Sequence, residues 1–129
     1  MNFATEAYVR SALASSREEL GDKMRMAEVR QGFSIVTEAR WFNRDEWTPY
    51  TIVSQDKTRV RMVALEAKAP GNGAFTRLIS GIWKSGLVPV LVEPNQTLVD
   101  WCHRHQFRKR TIGNKEYRHD IWYPRRCAY

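Results

Sequence analysis

Hydrophobic residues recur at helical spacing in three stretches of the chain and alternate with polar residues in several others. The helical spacing predicts helices over about residues 16–26, 74–84 and 96–105. The alternation, together with one apolar run, predicts strands over residues 33–42, 50–54, 60–67, 87–92, 107–112 and 115–123. Helices and strands interleave in the middle of the chain, and its last two strands form an antiparallel pair. We therefore predict an α/β fold with a central mixed β-sheet flanked by helices.

Short local signals set the predicted ends of these elements. Ser16 and Glu19 form a capping box, so the first helix is predicted to begin at Ser16. Asn95 follows a proline and is predicted to cap the third helix. Gly113 and Asn114 form a turn pair, which joins the last two predicted strands into a hairpin.

The length and composition are those of one globular domain. The chain has 129 residues, of which 43% are hydrophobic and 27% charged, so residues 1–129 are predicted to form a single domain. The two cysteines have no CxxC spacing and form no disulfide framework. The sequence starts without a signal-peptide pattern and has no apolar run long enough to cross a bilayer. We expect a cytoplasmic protein, monomer or homodimer, without membrane contact.

Positive charge is concentrated near the end of the chain. The formal net charge is +7, and most of the excess follows His103. The basic residues of this region are Arg104, Arg108, Lys109, Arg110, Lys115, Arg118, Arg125 and Arg126. Such a field attracts nucleic acid or an acidic protein, and Arg108, Arg110, Lys115 and Arg118 are the predicted contacts. The alternative is a solvated basic face without a dedicated partner.

A glycine loop lies between a predicted strand and a predicted helix. Residues 68–73 read Lys-Ala-Pro-Gly-Asn-Gly. Glycines let backbone N–H groups approach a ligand closely, and the N-terminus of a helix favours an anion such as a pyrophosphate. The loop lacks the Gly-Lys-Ser/Thr of a P-loop and the third glycine of a dinucleotide-binding fingerprint. A plain strand–helix turn remains the alternative interpretation.

Two segments resemble the GNAT superfamily of acyl-CoA N-acyltransferases. Residues 68–73 resemble its Arg/Gln-x-x-Gly-x-Gly/Ala phosphate-binding loop, with lysine in the first position. Residues 95–107 are similar, without gaps, to its Asn-x-x-Ala-x-x-x-Tyr-x-x-x-Gly-Phe segment, in which Asn95 and Phe107 are the end points. The resemblance covers about residues 60–123 and extends to short acetyltransferase-like proteins of bacteriophages.

The resemblance implies a GNAT-like fold, acetyl-CoA as co-substrate and an amine as acyl acceptor. The residues it places at the coenzyme are Leu65, Lys68, Gly71, Asn72, Gly73, Ala74 and Asn95. A strand beside the loop, residues 63–67, is expected to splay open and bind the pantetheine arm through its backbone. Glu66 is the carboxylate on this strand and the candidate general base, with Glu93 second. A solvated Glu66, or one paired with Lys68, is the alternative.

The sequence also departs from the family pattern at two positions. Cys102 stands where the family often has the tyrosine that protonates the departing thiolate, and Gln106 replaces a glycine. Cys102 is either this proton donor or a packed core residue. His103 and His105 stand two residues apart, which does not place both on one helix face, so no metal site is expected. Two functions remain: an N-acetyltransferase, or a catalytically inactive GNAT-like module that binds or inhibits a nucleic-acid-handling protein.

Overall fold

The computed structural model describes residues 6–113 and 118–127, with side chains from Ser16 onwards. The helices and strands, in chain order, are α1 (Glu6–Arg30), β1 (Ser34–Ile35), a short 3₁₀ helix (Arg44–Glu46), β2 (Ile52–Gln55), β3 (Arg59–Ala64), α2 (Ala74–Lys84), β4 (Val88–Val92), α3 (Gln96–Arg104), β5 (Phe107–Gly113) and β6 (Arg118–Pro124). Within these residues, no helix combines the length and apolar character that crossing a bilayer requires.

The strands form one mixed sheet of six strands in the order β1-β2-β3-β4-β6-β5. The β3–β4 pair is parallel, and the other four pairs are antiparallel. The connection between the two parallel strands contains α2, as a parallel crossover requires. The predicted α/β fold with a mixed sheet and flanking helices is thus confirmed.

Local signals located several elements correctly. The α2 helix covers the predicted residues, and its apolar positions Leu78, Ile79 and Ile82 are buried. Asn95 caps α3, with its Oδ1 accepting a hydrogen bond of 3.0 Å from the Leu98 N–H. The hairpin predicted for the last two strands is the antiparallel pair β5–β6, and β2 and β3 form a second antiparallel pair.

Three predicted elements were wrong in extent, and one of them is the strand predicted over residues 60–67, which ends at Ala64. The first helix begins ten residues before Ser16, at Glu6, and ends at Arg30. The residues before Ser16 in this helix contain neither glycine nor proline, so nothing in them ends the helix. Ser16 and Glu19 match a capping box in sequence, but they lie inside the helix and not at its start. The strand predicted over residues 33–42 is reduced to Ser34–Ile35. The hydrophobic side chains of Trp41 and Phe42 suggested a strand, but these residues lie in turns and pack into the core from there.

The two faces of the sheet carry different helices. Val60 and Met62 of β3 belong to the main core cluster, together with Leu78 of α2 and Cys102 of α3. Arg61 points to the opposite face, where it binds Glu28 of α1. Because neighbouring side chains of a strand point to opposite faces, α1 lies on one side of the sheet and α2 and α3 on the other.

Candidate functional site

The parallel pairing of β3 with β4 stops shortly before the ends of both strands, which are Ala64 and Val92. Their pairing ends at Met62 opposite Leu91. Directly after this point β3 has a bulge, since Met62 and Ala64 lie opposite neighbouring residues of β2 and Val63 is the extra residue. A bulge bends its strand and is common beside functional sites. The end of β3 is therefore free of β4 where the chain approaches the glycine loop.

A cleft of about 390 Å³ lies beyond the end of this pairing, beside the segment that follows β3. Its walls come from the end of β3, the glycine loop, the first turn of α2 and the start of α3. The lining residues are Trp47, Leu65, Ala67, Ala69, Pro70, Gly71, Gly73, Ala74, Phe75, Thr76, Asn95, Thr97 and Leu98. Of the residues predicted to bind coenzyme, Leu65, Gly71, Gly73, Ala74 and Asn95 are thus brought together.

The backbone at the end of β3 has two orientations. The Glu66 N–H donates to the Thr51 hydroxyl at 3.0 Å, and its C=O accepts from the Thr48 N–H at 2.9 Å. Backbone groups of successive residues in an extended segment point in opposite directions. The N–H and C=O groups of Leu65 and Ala67 therefore point away from Thr48 and Thr51, towards the side of the strand on which β4 lies earlier in the sheet.

The glycine loop holds the N-terminus of α2 open. Gly71 and Gly73 have φ of 80° and 79°, in the left-handed region that favours glycine. Gly73 is also the N-cap of α2, and no side chain accepts a hydrogen bond there. The first-turn N–H groups and the positive end of the helix dipole consequently lie beside the cleft, which suits an anion.

Lys68 and Asn72 lie on the outer side of the loop instead. Both are exposed and line a hollow of about 160 Å³, together with Arg77 and Glu46. The Arg77 Nε donates to Glu46 Oε1 at 2.6 Å, which fixes the arginine beside Gly73. Arg77 was not among the residues predicted from the sequence, although it lies in the first turn of α2 directly after the loop.

Glu66 does not line the cleft of about 390 Å³ and lies on the opposite side of the chain segment after β3. Its half-exposed carboxylate forms an ion pair with Arg17 of α1. The Arg17 guanidinium in turn lies 3.7 Å from the ring centre of Tyr50. Arg17 and Tyr50, with Ala64, line a second cleft of about 500 Å³ between α1 and the sheet. Arg17 and Tyr50 were missed because 49 residues separate Arg17 from Glu66 and no local pattern connects them.

Cys102 is fully buried in the main core cluster. Burial raises the pKa of its thiol to about 12. It does not line the cleft, and among the described lining residues none has a titratable side chain. Glu93, the second candidate base, accepts a hydrogen bond from the Asp120 N–H through its Oε1.

The two neighbouring histidines have different aromatic partners. His105 stacks on Trp101 with ring centres 4.1 Å apart, whereas His103 meets the edge of Trp122 at 5.1 Å. Each ring thus packs on its own indole, and the sequence expectation that they do not share a face agrees with this arrangement.

The predicted basic contacts lie on the β5–β6 hairpin at one edge of the sheet. Arg108, Arg110 and Arg118 are exposed. Arg108 lies opposite Tyr123 and Arg110 opposite Ile121, so the two arginines share one face of β5. Lys115 lies outside the described residues.

A buried ionic cluster connects α1 to the sheet, and the sequence analysis did not identify it. Arg61 donates to both carboxylate oxygens of Glu28, at 2.7 and 3.1 Å, and the Ser54 hydroxyl donates to the same carboxylate at 2.6 Å. His119 lies 3.5 Å from Arg61, and its pKa is lowered by burial and by the arginine charge. The cluster satisfies the charges that it buries, which points to a role in folding.

Comparisons of the chain with protein-family models, curated proteins and solved structures found no match. The class of protein is therefore defined by the structure: an α/β domain whose mixed sheet opens into a cleft at a glycine loop.

Proposed function

We propose that the protein is an acyl-CoA-dependent N-acyltransferase that moves an acetyl group from acetyl-CoA to an amine. One observation carries the proposal. Beyond the end of the β3–β4 pairing lies a cleft that is lined by the glycine loop and by the first turn of α2, whose N-cap Gly73 has no side-chain cap. A GNAT-like fold leads to the same expectation, namely a splayed strand beside a phosphate-binding loop.

The coenzyme is proposed to lie along the cleft. Its pyrophosphate accepts hydrogen bonds from N–H groups between Gly71 and the first turn of α2, where the helix dipole favours negative charge. The amide groups of its pantetheine arm form hydrogen bonds with the backbone of Leu65 and Ala67. The N–H and C=O groups of these two residues face the side on which the pairing with β4 has ended. A backbone N–H at this strand end also polarises the thioester carbonyl.

The acceptor amine is proposed to approach from the α1 side of the sheet. Ala64 lines the cleft on that side while Leu65 lines the coenzyme cleft, so both clefts reach the same strand end. Glu66, directly or through water, takes a proton from the amine. The amine nitrogen then forms the new C–N bond, the C–S bond breaks, and the thiolate takes a proton from solvent.

Binding of acetyl-CoA is the decisive test. Thermal unfolding is followed with and without acetyl-CoA, and titration calorimetry measures the dissociation constant. At one hundred times that constant the coenzyme adds about 2.7 kcal/mol to the free energy of unfolding. Release of free thiol is then assayed with a panel of amines. The acyltransferase proposal fails if acetyl-CoA does not bind at low millimolar concentration.

A second candidate function is a binding module without catalysis. It is favoured by the cleft lining, whose described residues include no titratable side chain, and by the burial of Cys102 at the position of the family's acid. Coenzyme binding without thiol release for any amine would favour this second function.

A further inference from the structure

We propose that the β5–β6 hairpin binds a single strand of nucleic acid through a basic stripe on its surface. The stripe consists of exposed residues from the end of α3, both strands and the turn after β6. These residues are Arg104, Arg108, Lys109, Arg110, Arg118, Arg125 and Arg126. The proposal concerns a surface outside the coenzyme cleft, and it does not depend on the proposed acyltransferase activity.

The stripe runs along the whole hairpin. The pairing extends from Phe107 opposite Pro124 to Gly113 opposite Arg118. With about 3.3 Å per residue, this pairing is about 20 Å long. Arg125 N–H donates to Gln106 C=O at 3.0 Å, which places Arg125 at one end, and Arg118 marks the other. Such a length is enough to face several successive phosphates of one strand.

Most members of the stripe carry a positive charge that no ion pair neutralises within the described part of the protein. Apart from Arg110, no member forms an ion pair with a described residue. The ion pairs lie elsewhere and involve Arg17, Arg25, Arg59, Arg61 and Arg77. The nearby carboxylates of Glu93 and Asp120 accept hydrogen bonds from the Asp120 N–H and the Thr111 hydroxyl.

Protection of the sheet edge does not explain this distribution. Charged side chains on an edge strand do prevent pairing with other chains, and β5 is an edge strand. However, Arg104, Arg118, Arg125 and Arg126 lie outside β5. Edge protection gives these four residues no purpose. Arg108 and Arg110 share one face of β5 and Lys109 lies on the other, so a strand bound along this edge is expected to contact the Arg108–Arg110 face first.

The chemistry of the stripe favours nucleic acid over an acidic protein. Six of its seven members are arginine, whose planar guanidinium binds phosphate through two parallel hydrogen bonds. Tyr123 lies opposite Arg108 and is partly exposed, so an aromatic ring accompanies the charges. Basic side chains combined with an aromatic surface are typical of single-strand binding, in which bases stack while phosphates are neutralised.

The experiment measures fluorescence anisotropy of labelled single-stranded RNA and DNA of 20 nucleotides between 50 and 200 mM salt. The full chain is compared with Arg108→Glu/Arg110→Glu and with the control Lys57→Glu/Lys84→Glu. Both double variants change the formal net charge from +7 to +3, and the control residues are exposed outside the stripe. We expect at least tenfold weaker binding for the stripe variant and less than threefold for the control. The slope of log affinity against log salt should fall by about 1.4, because two phosphate contacts are lost.

Three results would overturn the proposal. The first is that the wild-type protein does not bind at 50 mM salt. The second is that both double variants lose the same amount of affinity. The third is that polyglutamate displaces the labelled RNA as effectively as unlabelled RNA does. The last result assigns the stripe to an acidic protein. Circular dichroism melting checks folding, and Arg125→Glu/Arg126→Glu, after the last strand, replaces the stripe variant if that variant unfolds. Acetyl-CoA binding is measured in parallel, so failure of either proposal is seen separately.

Discussion

At the scale of single residues, the side chains of the segment directly after β3 point alternately to two sides of the chain. Leu65 and Ala67 line the coenzyme cleft, whereas the Glu66 carboxylate lies with Arg17 on the α1 side. Alternation along an extended segment is enough to produce this division. In the proposed acyltransferase, an amine that enters from the α1 side would therefore reach Glu66 as its general base.

Glu66→Gln is expected to lower the rate of acyl transfer by 10²- to 10⁴-fold, because the amide cannot accept the proton of the amine. Acetyl-CoA affinity should stay unchanged, since this side chain lies outside the coenzyme cleft. Steady-state kinetics and calorimetry measure both quantities, with Glu38→Gln at an exposed position as the control. A variant with the wild-type rate across pH 6–9 would remove Glu66 from the mechanism.

Cys102 is expected to resist thiol reagents in the folded protein. With its pKa raised to about 12 from 9.0, the thiolate fraction at pH 8 falls about a thousandfold, and burial limits access further. In a Cys127→Ser variant, the remaining thiol should react with Ellman's reagent only after denaturant is added. Rapid reaction under native conditions would place Cys102 at an accessible site.

The same shift gives a prediction for stability. The unfolded thiol ionises near pH 9.0 and the folded thiol near 12, so its contribution is complete below pH 9 and is lost as pH rises through this window. Cys102→Ala should therefore lose less stability than the wild-type protein over that range, as measured by urea unfolding.

At the scale of elements, α2 and its preceding loop are defined by glycines at both ends. Gly71 and Gly73 precede the helix and Gly86 follows it, all with positive φ. A Cβ at Gly71 or Gly86 meets no atom within 4 Å, whereas one at Gly73 comes 3.0 Å from Arg77. Gly71 and Gly86 thus have the same backbone requirement and open surroundings, but only Gly71 lies in the cleft.

Gly71→Leu and Gly86→Leu therefore form a matched pair. Each should reduce the free energy of unfolding by about 1–2 kcal/mol, the cost of a left-handed conformation in a residue with a Cβ. Only Gly71→Leu should abolish stabilisation by acetyl-CoA, because its side chain occupies the space proposed for the pyrophosphate. Thermal unfolding with and without coenzyme measures both effects. Equal coenzyme binding by the two variants would contradict the proposed position of the pyrophosphate.

At the scale of the whole molecule, one buried ion pair connects elements that are distant in the chain. Glu28 belongs to α1 and Arg61 to the middle of the sheet, and both are almost completely inaccessible to solvent. Removing one partner leaves a buried charge without compensation, which is far more costly than losing an exposed pair.

Arg61→Met is expected to lower the free energy of unfolding by about 3–5 kcal/mol. The control is Arg59→Met, two residues earlier on the same strand, whose part-exposed partner Asp56 stays accessible to water, so that the loss is expected to be smaller. Glu28→Leu/Arg61→Met should cost less than the sum of its single changes, because no unpaired charge remains. Urea denaturation gives all four values, and additive losses would exclude direct coupling.

Prediction from the sequence succeeded where the determinants lie within one turn or one hairpin. Residues 74–84 carry an apolar stripe between two glycines, so the limits of α2 were correct. It failed at residues 33–42, since Trp41 and Phe42 are core residues held by turns. For the candidate site, the loop and Asn95 were identified, but Arg17, Tyr50 and Arg77 were not, because their places depend on packing.

The sequence by itself determined the helix and strand types, the glycine loop before α2, the cap of α3 and the charge at the chain end. Each of these depends on backbone preferences and on neighbours a few residues away. Only the tertiary structure decided that β3 separates from β4 after Met62, that Glu66 pairs with Arg17, and that Arg61 is buried against Glu28. The two ion pairs join residues that are 33 and 49 positions apart, and the strand pairing joins strands separated by a helix. The local spacing of hydrophobic residues does not predict contacts over such distances in the chain.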